Sequence, residues 1–164
     1  MMKHGILIAY GLAAAMVLAR ADTINISTGV DSSGNLLASG ALQSLYTVSG
    51  LATQAVVEPY SQKPGSWVAN QPDAQWITGS NNLNPLSSVG IFSYSLNIFA
   101  NDPNGVAITG RFTSDNPGQL VVNGTAIYSS PGWATNTDDA TYSSWYDFGT
   151  IQLNYGANNI TWNV

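Results

Sequence analysis

Residues 106–125 read VAITGRFTSDNPGQLVVNGT, and this stretch decides the fold class. Ile108, Gly110 and Phe112 alternate with Thr109, Arg111 and Thr113. A repeat of two residues places successive side chains on opposite faces, the mark of a strand with one buried side. Asp115-Asn116-Pro117-Gly118 is dense turn chemistry. Leu120 and Val122 resume the inward face, and Asn123-Gly124 is the dipeptide that best tolerates positive φ. The pattern predicts a β-hairpin at the centre of an all-β domain.

The same alternation recurs on both sides. Phe92, Tyr94, Leu96 and Ile98 form one face of a strand over 89–99, with Ser93, Ser95 and Asn97 on the other. Ile160, Trp162 and Val164 alternate at the end of the chain, after a turn at Tyr155-Gly156-Ala157-Asn158. Shorter strands are expected near 23–28, 41–48, 53–57, 76–78, 125–128 and 145–153. Asp31-Ser32-Ser33-Gly34-Asn35 and Lys63-Pro64-Gly65 read as turns. The longest irregular stretch is 129–144. No segment after residue 21 carries a helical period. Many short strands with turns between them predict an antiparallel β-sandwich.

Residues 1–21, MMKHGILIAYGLAAAMVLARA, differ in kind. A basic start, an apolar run and Ala19-Arg20-Ala21 match a secretory signal peptide cleaved before Asp22. The apolar run falls short of the roughly 20 residues a membrane helix needs. The expected organisation is a signal-peptide helix over 1–21 and one β-domain over 22–164, exported to the periplasm, cell surface or medium.

Charge then narrows the function. The 164 residues carry 4 basic and 9 acidic side chains. Only Lys63 and Arg111 are basic after residue 21, against all nine acids, a net of minus seven. Nucleic acid and anionic membranes, which need clustered Lys and Arg, are poor partners for such a chain. The single histidine is His4 and there is no cysteine, so a His/Cys zinc site and a histidine-based triad have no residues to use after residue 21. No cofactor and no metal is expected. Paired-carboxylate glycosidase chemistry is formally open. Glu58 stands as the only Glu, beside Pro59, and no Asp pair is singled out as acid and nucleophile. The chain is therefore read as non-catalytic.

The binding candidates lie in and after the long loop. Trp133, Tyr142, Trp145 and Tyr146 supply aromatic planes on which the C–H faces of sugars stack. Asp138 and Asp139, with Asn136, supply partners for hydroxyls. Trp133 and Tyr142, in the loop, are the members expected to be exposed. One of Trp145 and Tyr146 must point inward, because neighbours in a strand face opposite ways. Trp67, Trp76 and Trp162 are read as core. Asp115-Asn116 fits an Asx-turn that bonds its own backbone; a calcium or sugar ligand is the other reading. Asp138-Asp139 lacks the spacing of a calcium loop. Arg111 is expected to pair with a surface acid, an interaction worth little, or to hold an anion.

Three pieces of the chain carry a resemblance. They are Gly65-Ser66-Trp67 with Ala74-Gln75-Trp76-Ile77; Phe112-Thr113-Ser114-Asp115-Asn116 with Leu120-Val121-Val122-Asn123-Gly124; and Tyr155-Gly156-Ala157-Asn158-Asn159-Ile160. Together, over residues 65–164, they resemble bacterial exported galactose-binding-like jelly-roll domains, often found with a PEP-CTERM sorting tail. The resemblance implies a two-sheet antiparallel jelly roll whose function is binding. Such domains continue past the last of these pieces with a further loop and strand, and this chain has neither those nor the sorting tail. A fragment lacking its last strand is therefore expected, since the alternative leaves residues 159–164 as an open edge. The function expected is a secreted or cell-surface binding module for carbohydrate or extracellular polysaccharide. The alternative is a structural protein of the bacterial envelope or matrix.

Overall fold

The computed structural model describes residues 26–49, 54–58, 65–79, 91–135, 137 and 141–164. The signal-peptide reading of 1–21 and the first three residues of the expected strand at 23–28 lie outside them. So do most of the Lys63-Pro64-Gly65 turn and the start of the strand placed at 89–99. Residues 26–28, the described part of the first expected strand, are not strand. Their backbone is used instead by Gln75, whose N–H donates to the Thr28 carbonyl at 2.8 Å.

Nine strands are described: β1 (Thr47–Ser49), β2 (Val56–Val57), β3 (Ile77–Thr78), β4 (Ser93–Ala100), β5 (Val106–Phe112), β6 (Gln119–Val122), β7 (Thr125–Ser129), β8 (Tyr146–Leu153) and β9 (Gly156–Asn163). Five form one sheet in the order β1-β4-β9-β6-β7; β2 pairs with β3, and β5 with β8. All pairings are antiparallel. The architecture is all-β and sandwich-like. Leu96, Ile98, Leu120, Val122 and Ile160 of the five-stranded sheet share one buried cluster with Ile151 and Leu153 of β8, and Val106 and Ile108 of β5 pack against it.

The alternation read from 106–122 is present, but the hairpin is not where it was expected. Phe112, Leu120 and Val122 are buried while Thr109 and Arg111 are exposed. Yet β5 pairs with β8 and β6 with β7 and β9, so Asp115-Asn116-Pro117-Gly118 carries the chain from one layer to the other. The hairpin is β6–β7. Its two-residue loop, Asn123-Gly124, has φ of 51° and 80°. Two positive φ values give the mirror-image turn whose twist matches the flanking strands.

A bulge sets the inner face of β8. Gly110 pairs with Gly149 and Arg111 with Asp147, so Phe148 is the extra residue. Gly149 adopts φ 69°, and its N–H donates to Asp147 Oδ1 at 2.7 Å. Uninterrupted alternation back from Ile151 would have turned Gly149 and Asp147 inward. The inserted residue shifts the parity, so Tyr146 and Phe148 face inward while Asp147 stays exposed.

The Gly156–Asn163 strand is not an open edge: β4 pairs it on one side and β6 on the other. Asn158 locks its entry. Only 2% exposed, it donates Nδ2 to the carbonyls of Asn154 and Gly156 at 2.8 and 3.0 Å and accepts at Oδ1 from Asn154 N and Asn123 Nδ2. Asn123 Oδ1 in turn accepts from Asn159 N at 2.9 Å. A buried amide is stable only when its donors and acceptors are met, and here the Asn-Gly and Gly-x-Asn pieces of the sequence meet each other's needs.

Candidate functional site

One end of the fold is closed by aliphatic side chains and the other encloses a cavity of about 700 Å³. Its walls come from separate parts of the chain. β4 contributes Tyr94, β5 Arg111 and Phe112, β8 Phe148 and β9 Trp162, while residues 67–78 contribute Trp67, Asn70, Gln71, Asp73 and Trp76. Trp145 lines it from the residue before β8, and Asp115 and Asn116 from the crossing after β5. The volume suits a small ligand, and the mixture of aromatic planes with a few convergent polar groups is what such sites carry.

The 67–78 wall is held by its own polar groups. Gln71 and Ala74 bridge across Pro72-Asp73. The Trp76 indole donates to the Val68 carbonyl at 2.9 Å, and Trp76 N to Asn70 Oδ1 at 3.2 Å. Gln75 Nε2 donates to the carbonyls of Gly29 and Leu37 at 2.8 and 2.9 Å, tying the wall to the 28–37 turn. Val68 N donates to the Tyr142 carbonyl at 2.9 Å. Trp67 and Trp76 lie with ring centroids 4.4 Å apart and planes tilted by 36°.

Arg111 bridges the two sides of the cavity. Its guanidinium sits 4.7 Å from the centre of the Trp145 ring, and Nη2 donates to Gln71 Oε1 at 3.2 Å. A cation over an indole face is stabilised by about 0.5–1 kcal/mol at an exposed site. Asp147 stands opposite Arg111 in the strand pair and spends an oxygen on Gly149. Burial raises the pKa of the Tyr94 phenol, and more strongly that of Tyr46, whose hydroxyl donates to the Ile26 carbonyl. Both line the cavity and stay protonated at neutral pH.

Of the six residues put forward as the sugar-binding set, Trp145 is the one among the described residues that lines the cavity. Tyr146 packs on Phe112 and Tyr128 at 6.0 and 6.4 Å. Trp133 is half-buried in the turn after β7, its N–H donated to Ser130 O at 3.3 Å. Tyr142 sits in the 3-10 turn Thr141–Ser143, outside the cavity lining, and its carbonyl accepts from Val68 N beside the wall. Asp138, Asp139 and Asn136 lie outside the described residues. Trp67 and Trp76, read as core, are half-buried and line the cavity. Trp162 does border the core, stacked on Phe112 at 5.1 Å and Phe148 at 5.6 Å, but its other side faces the cavity. Two tryptophans bracketing Asn70-Gln71-Pro72-Asp73, outside any long alternation, were the signal for this wall.

Asp115 and Asn116 are exposed at the cavity, and the Asn116 carbonyl accepts from Ser114 Oγ at 2.6 Å. Among the described residues no group of three His, Cys, Asp or Glu is placed to hold a metal ion. Nor is any helix among them long and apolar enough to cross a membrane. No family model, no curated protein and no solved structure matches this chain, so its reading rests on its own residues.

Proposed function

We propose that the protein is a non-catalytic, exported module that binds carbohydrate in this cavity, on a galactose-binding-like jelly-roll scaffold. One observation carries the reading: three half-buried tryptophans, Trp67, Trp76 and Trp145, share the cavity wall with Asn70, Gln71 and Asn116. Indole faces accept the C–H side of a sugar ring, and side-chain amides both donate to and accept from its hydroxyls. The sandwich-like layers and the contact between the Asn-Gly and Gly-x-Asn pieces support the jelly-roll assignment. Export is supported by the pattern of residues 1–21.

The test is a glycan-array screen of the purified protein beside Trp67→Ala and Trp145→Ala. Selective retention that either variant loses supports the reading and locates the site. A folded protein that retains no glycan overturns it in favour of a structural role in the envelope or matrix. Release of new reducing ends from a retained glycan would overturn the non-catalytic part, and would turn attention to the carboxylates on the wall.

A further inference from the structure

The cavity carries charge as well as aromatic surface. Glu58 at the end of β2, Asp73 in the 70–76 turn and Asp115 after β5 reach it from three different segments. Glu58 is 3% exposed, whereas Asp73 and Asp115 are exposed. Arg111 is the one cation among the described residues that line it. Its guanidinium is already engaged, stacked on Trp145 and bonded to Gln71. The two exposed carboxylates, Asp73 and Asp115, therefore outnumber the available positive charge around the aromatic walls, in a chain whose formal net charge is −5. Such a field draws cations in and repels anions. The indole faces act in the same direction, because their negative centres attract ammonium groups.

We infer that the cavity sorts sugars by charge, taking a ring that bears a protonated amine over the same ring bearing a neutral acetamide or a carboxylate. The inference rests on the carbohydrate reading above and specifies its ligand class: hexosamines with free amines, as monomers or oligomers. Exposed carboxylates each contribute a modest attraction, so the expected preference for the amine is about fivefold, with uronates weakest of the three.

The experiment is calorimetric titration of the protein with glucosamine oligomers, their N-acetylated counterparts and oligouronates, repeated with Asp73→Asn and Asp115→Asn. The expected result is an amine preference that shrinks in each variant while affinity for the acetylated oligomer is unchanged. A merely structural role for Asp73 or Asp115 would weaken all ligands alike. Raising salt on the unmodified protein tests the same point without any substitution: the preference should fall towards unity as the charges are screened. Equal or tighter binding of the acetylated or uronate oligomers overturns the charge sorting and leaves the carbohydrate reading standing. No binding of any of the three overturns the charge sorting, and the glycan array then decides the carbohydrate reading separately.

Discussion

The two ends of the sandwich use the same layers for opposite purposes. At one end the fully buried Ile160 joins Val122, Ile98, Ile151 and Leu153 in one buried cluster. At the other, Tyr94, Trp145, Phe148 and Trp162 stand half-buried around the cavity. β4, β8 and β9 each contribute to both ends. What changes along each strand is the side chain. Branched aliphatics interdigitate and close the gap between layers, while flat rings line a gap and hold it open. The closed end supplies stability, and the open end supplies a surface a ligand can use.

That contrast can be broken most forcefully at the closed end. Ile160→Ala should lower the unfolding free energy by about 3–4 kcal/mol, since a fully buried aliphatic leaves a hole that rigid neighbours cannot fill. Denaturant titration measures it, and a loss under about 1 kcal/mol would mean this end is not the closed core described. Gly110→Ala acts at the join. The new Cβ would lie 2.8 Å from Phe148 Cζ, so the ring must swing, and the cavity is where it borders free space. A loss of about 1–3 kcal/mol is expected, together with weaker sugar binding. Stability that fell with binding untouched would separate the two ends more sharply than the structure does.

Trp145→Ala reverses the balance. Its ring is half-buried and carries the Arg111 guanidinium on its face, so the cost in stability should stay near 1 kcal/mol or below. Sugar affinity should fall by about tenfold, a difference of roughly 1.4 kcal/mol by calorimetry. The smallest effect lies in the 28–37 turn behind the cavity wall. Asp31 is partly exposed and its pKa is lowered, first by the Asn35 side chain and then by backbone N–H groups of the same turn. A depressed folded pKa stabilises the turn above the ordinary aspartate value, near pH 4, and that support is lost as pH falls through the folded value. An NMR titration of the Asp31 carboxyl should give a midpoint below the ordinary one, and Asn35→Ala should move it back up.

How much of this was legible follows from what alternation can encode. It states which face of a strand is buried, so Leu96, Ile98, Phe112, Leu120, Val122 and Ile160 were assigned correctly. It does not name the partner strand. The β5–β6 hairpin was the natural guess for two nearby runs joined by Asp115-Asn116-Pro117-Gly118, and the pairing is instead β5 with β8. The bulge at Phe148 was hidden for the same reason, because a parity change looks like irregular sequence. The cavity was half legible. The polar neighbours of Trp145 mark it as a binding candidate and it lines the cavity, whereas Trp67 and Trp76 read as core and line it too. An aromatic that lines a space and one that fills it have the same letters around them, and only the packing of distant segments tells them apart.

The position of β9 has a consequence for how the molecule comes into being. It follows all its partners in the sequence yet lies between β4 and β6 in the sheet. At the usual 5–20 residues per second of synthesis, the roughly sixty residues from the end of β4 to the end of β9 take some seconds to emerge. Throughout that delay Leu96, Ile98, Leu120 and Val122 lack the β9 side chains that complete their cluster, and the β9-facing flank of β4 is open to foreign strands. The β1–β4 pair and the β6–β7 hairpin can form first, but the sheet closes late, by pairings between distant segments, which is the slow mode of folding. Until Gly156–Asn163 is free, strand pairs can form, but the two halves of the five-stranded sheet, β1-β4 and β6-β7, stay unjoined.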